Sequence, residues 1–337
     1  MEQVTQTAVC APQHNNVFTK EQLIEEFRKE QHRQEYRREL LRKEYKSFYK
    51  TIKGGHAGMC AYPTRLDTYG CGCAHNCDYC FSRSQLSFRK QWCPENPKIA
   101  DIWKIEKRIQ KIPPGTIIRM GGITDCFQPI ELREKVTLET IKLFNQYRVG
   151  YLIVTKSPVV SYPFYLDILD PDLAHIQITV TCFDPMLTKK YESTGPPDQR
   201  VKAILALQKL GFDVAIRLSP LLEEFMDFNL LNDLGINSCI VEFLRLNGLI
   251  RDWFARVNHK KYTYYSGNYH HLPLEEKIRL ISKIKLPNIS VCEKVPEHYE
   301  YWKAHFNPNP EDCCNLRISP KQNAKKEEGA TTKSKNK

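Results

Sequence analysis

Residues 65–83 read RLDTYGCGCAHNCDYCFSR. Within them Cys73, Cys77 and Cys80 stand in a Cys-x3-Cys-x2-Cys loop. Thiols scattered through a core seldom arrive at such spacing. Three thiolates within eight residues can converge on one soft centre, either zinc or an iron–sulfur cluster. Gly70 and Gly72 let the backbone turn tightly beside them. Structural zinc takes four closed ligands, and Cys71, His75 and Cys93 are candidates for a fourth. The separate second Cys or His pair that usually accompanies zinc is missing.

Outward from this loop, β-branched runs alternate with helical periodicity. Residues 116–120 end in Gly121-Gly122, and residues 132–147 follow with a helical pattern. Further strands are expected at 150–155, 176–181, 214–218 and 239–243, with a helix over 200–210 stopped by Gly211. Several of these strands are continuous apolar runs, as in a parallel sheet buried on both faces. The chain lacks a Gly-x-Gly-x-x-Gly turn after its first strand and a Gly-Lys-Ser/Thr loop, which lowers dinucleotide and P-loop readings. At 337 residues a full or partial barrel is favoured over an open sheet.

The loop and its surroundings resemble the radical S-adenosylmethionine (radical SAM) superfamily. Tyr79 precedes the last cysteine of the loop. The flank Tyr-Gly-Cys…His-x-Cys-x-Tyr-Cys is similar to the spore photoproduct lyase-like, or DNA repair photolyase, branch. The resemblance covers about residues 60–250. It implies an α/β fold, a partial (β/α)6 TIM-type barrel, with an N-terminal helix and a C-terminal helical extension. It implies a 4Fe–4S cluster on Cys73, Cys77 and Cys80, with one iron left for S-adenosylmethionine. It also implies reductive cleavage of that cofactor to a 5′-deoxyadenosyl radical, for hydrogen abstraction within an enclosing barrel. Gly121, Gly122, Thr124 and Asp125 end the second barrel strand, where the superfamily holds the methionyl amino group. Lys156 follows the third strand, where the lyases carry a lysine. Thr179 and Thr181 lie on the fourth, where the family has ribose contacts, and Tyr79 is the aromatic set against adenine. A reductant of flavodoxin or ferredoxin type is implied as partner.

Several residues carry a plainer alternative. Lys156 also fits an exposed strand-end lysine. Asp125 also fits a helix N-cap, and Glu131 a first-turn acid favoured by the helix dipole. At the second-strand end, where the lyases place a hydrogen-returning cysteine, this chain has Gly122. Cys126, four residues on, is the candidate for that catalytic role from a shifted position, with a buried thiol as its alternative. Cys313-Cys314, in a Pro/Asn-rich loop, could fold over the barrel mouth as a donor, redox pair or extra ligand.

Hydrophobic residues make up 41% and aromatic residues 11% of the chain, enough for a core. No apolar run reaches the roughly 18–20 residues that span a bilayer. The N-terminus lacks a basic region followed by an apolar stretch, so with 13 cysteines a reducing, cytoplasmic setting is expected. The net charge of +11 gathers largely in residues 20–50 and 320–337, so it argues only weakly for an acidic partner. The expected division is a disordered 1–18, a charged helix in 19–55, a core in 56–250, an extension over 251–319 closing the mouth, and a disordered basic tail, 320–337. Nucleic acid is one partner to consider, through the lyase-like resemblance or through the Tyr- and Lys-rich stretch 260–271. Two other classes compete: a non-catalytic zinc or iron–sulfur module, and a nucleic-acid-binding adaptor.

Overall fold

The computed structural model describes residues 46–50 and 60–318, with eight further residues between 19 and 31. The expectations for 1–18, 320–337 and most of the 19–55 helix lie outside the described residues. The chain divides into two compact units, residues 1–44 and 45–337. In the first, the described residues from Glu21 to Gln31 are helical and exposed. Thr19 opens that helix with a reciprocal cap: its Oγ1 accepts from the Gln22 N–H at 3.2 Å, and its N–H donates to Gln22 Oε1 at 2.9 Å.

The second unit holds twelve strands among the described residues: β1 (Phe48–Lys50), β2 (Thr64–Leu66), β3 (Tyr69–Gly70), β4 (Lys98–Ile99), β5 (Ile117–Met120), β6 (Gly150–Thr155), β7 (Ala174–Thr179), β8 (Asp213–Leu221), β9 (Ser238–Phe243), β10 (Tyr264–Ser266), β11 (Tyr269–His271) and β12 (Asn288–Val291). Eight form one sheet in the order β1-β2-β5-β6-β7-β8-β9-β12. From β2 to β12 every pairing is parallel; only β1 runs antiparallel, against β2. The order never reverses, so successive right-handed crossovers stack their helices on one face and the sheet curls around the other. Arg65, Arg119, Val154, Thr179, Arg217 and Glu242, each from a different strand, border a single cavity inside that curl. The sheet does not close, since β1 and β12 remain its edges.

The buried runs explain the strands. Every residue of β7 is buried, and all but one of β6. Helices Val136–Gln146 and Pro197–Lys209 pack their apolar sides on the sheet, burying Ile141, Phe144, Ile204 and Leu207. Burying a side chain of this size contributes about 1.5–3 kcal/mol.

Two expectations are corrected. Phe48–Lys50 is a strand rather than the end of the charged helix, because β2 offers an unpaired edge and the Tyr49 hydroxyl reaches Asp67 at 3.0 Å. The expected α/β partial barrel is present, with seven parallel strands because the C-terminal extension supplies β12 as well as helices. That extension also does not close the mouth: of its residues only Lys294 borders the cavity. Its last segment lies at the opposite end. Arg317 donates from its backbone to Asp213 Oδ2 at 2.9 Å and from its side chain to the Gly211 carbonyl at 2.7 Å, at the start of β8. Tyr62, just before β2, donates to Asp312 at 2.6 Å.

Candidate active site

The cavity opens at the C-terminal ends of the parallel strands, where parallel α/β folds place their chemistry. One wall is the cysteine loop, and Cys73, Cys77 and Cys80 all border the cavity. The loop is shaped by its own short bonds, Asn76 N–H to the Cys73 carbonyl at 3.0 Å and Cys80 N–H to the Cys77 carbonyl at 3.2 Å. Asn76 takes the left-handed conformation. Gln128 braces the loop from behind, accepting from Ala74 N–H at 3.0 Å and donating to the Gly72 carbonyl at 3.2 Å. A Cβ on Gly72 would fall 1.9 Å from the Cys93 carbonyl oxygen, so that close approach requires glycine. Cys80 caps helix Phe81–Phe88, its Sγ accepting from Arg83 N–H at 3.4 Å.

The other candidate ligands separate here. Neither Cys71 nor Cys93 borders the cavity, while His75 does. His75 Nε2 lies 3.2 Å from Asp125 Oδ2. Burial pushes the Cys73 thiol up to about 12. Burial and then the Glu192 carboxylate push Cys77 well up too. A metal entering here must displace these protons. Among the described residues no three His, Cys, Asp or Glu side chains stand close enough, as placed, to form a ligand set. The donor set itself suits an iron–sulfur cluster: three thiols on one turn facing enclosed space.

The facing wall is the turn after β5. Asp67, two residues beyond Arg65, clamps it, accepting from the N–H groups of Gly122, Ile123 and Thr124 at 2.7, 3.0 and 3.3 Å. Burial raises Asp67 to about 6 against the lowering effect of those bonds. Gly121 has φ +77, and a Cβ there would meet the Val154 carbonyl oxygen at 2.2 Å. Thr124 Oγ1 donates to the Tyr69 carbonyl. Asp125 is a hub rather than a helix N-cap. It accepts from Thr155 Oγ1 at 2.8 Å, Lys156 N–H at 2.7 Å and Phe127 N–H at 2.8 Å, and faces His75. Burial opposes its ionisation, but His75 and these N–H groups prevail and hold the carboxyl below its ordinary value.

Lys156 is no free strand-end lysine. Its Nζ donates to the Ser219 carbonyl at 3.1 Å and sits 5.3 Å from the centre of the Tyr79 ring. Tyr79 is buried, with its hydroxyl on Glu192 at 2.5 Å. Tyr79, Gly121, Gly122, Thr124, Asp125, Lys156 and Thr179 therefore meet the three cysteines around one cavity. Two named residues do not. Strand β7 ends at Thr179, and Thr181 turns away to donate to Glu192 at 3.0 Å. Cys126 is buried beneath the turn, its Sγ donating to the Leu66 carbonyl at 3.7 Å, and it does not border the cavity. Its thiol is raised by burial. The thiol of Cys126 thus has no face on this cavity. Glu131 is likewise more than a helix-dipole acid. It is fully buried and accepts from Tyr69, Tyr165 and the N–H groups of Thr137 and Leu138.

Other groups that build the site were missed in the sequence. Glu192 stands behind the loop, paired with Arg200 at 3.1 Å, both side chains fully buried. Deeper in the barrel, Arg217 donates to Gln177 at 2.7 Å and Glu242 at 2.6 Å, and Arg119 borders the cavity beside them. A signal existed for three of these. Arg119 in IIRM, Arg217 in AIRLS and Glu242 in IVEF are charges inside apolar strands, which seldom occur without a partner or a ligand.

Comparison with known proteins agrees with this arrangement. Residues 68–227 match the family model of the radical SAM superfamily. No curated protein sequence matches the chain. A cysteine-to-serine mutant of spore photoproduct lyase shares the fold with a TM-score of 0.56 and 15% identity, over 74% of this chain and 79% of that one. A double mutant of spore photoproduct lyase with bound AdoMet and dinucleoside spore photoproduct shares it with a TM-score of 0.52 and 15% identity, over 72% and 78%. Three cavity-facing cysteines at the family's spacing, the family match across them and the shared fold agree: this chain carries a radical SAM domain over residues 68–227, the domain of an enzyme.

Proposed function

We propose that Cys73, Cys77 and Cys80 hold a 4Fe–4S cluster and that S-adenosylmethionine binds beside it. The observation that carries this reading is that those three thiols, the 121–125 turn and Lys156 all border one cavity at the strand ends. When bound and reduced, such a cluster supplies an electron that cleaves S-adenosylmethionine to methionine and a 5′-deoxyadenosyl radical. The chain's own residues supply the rest. Cys71 and Cys93 stay off the cavity, so Cys73, Cys77 and Cys80 are the thiols that would hold the cluster. Asp125 suits the methionyl ammonium, because His75 and the Lys156 N–H keep it ionised. Lys156 suits the carboxylate. The Tyr79 ring, fixed by Glu192 and packed on Phe254 at 5.6 Å between centroids, offers an apolar face. The curled sheet keeps bulk water from the reactive centre.

A flavodoxin- or ferredoxin-type reductant in a cytoplasmic setting fits this chemistry. Among the described residues no helix is long and apolar enough to cross a membrane. The lyase-like fold makes a nucleic-acid lesion or modified base a first substrate to test. The deciding experiment is anaerobic reconstitution with iron and sulfide, reduction, and assay of 5′-deoxyadenosine from S-adenosylmethionine, with Cys77→Ala alongside. Cys77-dependent product supports the reading. A loaded cluster that never cleaves the cofactor, with candidate substrates supplied, overturns it in favour of a metal-binding module.

A further inference from the structure

Charge inside the barrel is strongly one-sided. Arg65, Arg119, Lys156, Arg217, Arg245 and Lys294 border the cavity, against the carboxylates of Asp125 and Glu242. Asp125 is committed to His75 and to the end of β6. Glu242 is shared, with Arg217 at 2.6 Å and Lys294 at 3.6 Å. Its carboxyl is buried, which opposes ionisation, yet Lys294, Arg217, Arg245 and Arg119 hold it well below the ordinary value. The Arg245 guanidinium is stacked on Phe81 at 4.0 Å.

Arg65 and Arg119 are left over. They are register partners on adjacent parallel strands. Among the described residues neither has an ion-pair partner, and the buried Nε of each lacks a hydrogen-bond acceptor. Arg119 is only 7% exposed. A buried guanidinium without an acceptor is costly, on the order of 1–3 kcal/mol or more, which is the mark of a group that waits for an anion. The thiols of Cys292 and Cys314 lie near Arg119 and Arg217. Hydrogen bonds with Cys313 draw both thiols down, so they offset part of the charge, but they do not border the cavity. S-adenosylmethionine carries a net positive charge and adds to the excess.

We infer that Arg65 and Arg119 form an oxyanion site in the barrel interior and that the substrate of this enzyme carries a phosphate or carboxylate group bound there. Two guanidinium forks side by side match the oxygens of either group. The site lies two residues below Gly121-Gly122 on β5, deeper than the positions assigned above to the cofactor. The inference rests on the radical SAM reading for the word substrate, while the anion site itself stands on geometry.

The test is binding of phenyl phosphate, benzoate and benzyl alcohol to the full-length, cluster-reconstituted protein, followed by saturation-transfer NMR and calorimetry. Binding of S-adenosylmethionine is measured in parallel by equilibrium dialysis. Phenyl phosphate or benzoate should bind and neutral benzyl alcohol should not; whichever anion binds more tightly identifies the group. Arg119→Gln should raise the dissociation constant of that anion by about tenfold or more. Arg65→Gln, on a half-buried side chain, should act in the same direction. Binding of neither anion, or binding indifferent to both substitutions, overturns the site. Loss of S-adenosylmethionine binding in place of anion binding also overturns it, assigning the arginines to the cofactor's carboxylate. Arginine-dependent anion binding in a protein that never makes 5′-deoxyadenosine supports the site while the radical reading falls.

Discussion

The two ends of the barrel carry cysteines in threes, and the two sets have different surroundings. At the mouth, Cys73, Cys77 and Cys80 sit on a loop of short turns and border the cavity. At the floor, Cys292, Cys313 and Cys314 are buried, and Cys292 and Cys313 pack with Ala215 and Ile240 into a small apolar cluster. The floor segment is bonded along its length. Asp312 accepts from Tyr62, Cys314 N–H and Leu316 N–H, and Asn307 exchanges bonds with Val291. At the mouth, Asn76 Oδ1 and His75 Nδ1 are buried without partners. Residue type does not separate these two sets of thiols; what each can reach does. The expectation that Cys313-Cys314 folds over the mouth fails for that reason, since its anchors are at the start of β8 and before β2.

The sharpest way to break this contrast is Cys77→Ala, which should abolish cluster absorbance and reduce 5′-deoxyadenosine to background. Behind the same loop, Glu192→Gln should leave Arg200 without its charge partner and cost about 3–5 kcal/mol in a urea melt. Gly121→Ala places a Cβ at a positive φ and against the Val154 carbonyl. It should cost about 2–3 kcal/mol and lower S-adenosylmethionine binding in whatever fraction folds.

A pH titration probes a group away from both ends. Burial, then Lys277, lowers His271 from 6.5 to about 4. The unfolded chain therefore binds a proton that the folded one refuses. Stability contributed by neutral His271 is present above pH 6.5 and lost as pH falls from 6.5 to 4, by about 3 kcal/mol. His271→Gln should flatten that part of the unfolding profile; an unchanged slope would show that His271 titrates freely. The smallest effect belongs to the floor. Cys313→Ala should cost about 1 kcal/mol and leave 5′-deoxyadenosine formation intact, whereas a loss like that of Cys77→Ala would erase the distinction between the ends.

The stretch 260–271 offers a similar lesson. Its tyrosines and lysines suggested base stacking, but Tyr262 is buried and Lys261 pairs with Glu223 at 2.7 Å. Tyr264 donates to Glu297 at 3.2 Å, and Tyr265 remains exposed.

Sequence alone determined what depends on neighbours along the chain. The alternation of apolar strands with helices dictated a parallel sheet, because burial on both faces demands continuous apolar runs. The cysteine spacing singled out the loop, because three thiols within eight residues are held together by the chain itself. Tertiary structure decided what depends on distant partners. Asp67 meets the turn 55 residues ahead of it, and Tyr79 meets Glu192 across 113 residues. No local periodicity encodes such pairings. The same limit hid Cys126: its place after the Gly121-Gly122 turn was legible, but which way its thiol points depends on Leu66 packing above it from another strand. The arginines inside the barrel could be read as charges out of place. Only the curl of the sheet brought them to one cavity, where burial turns an ordinary surface charge into a demand for a partner.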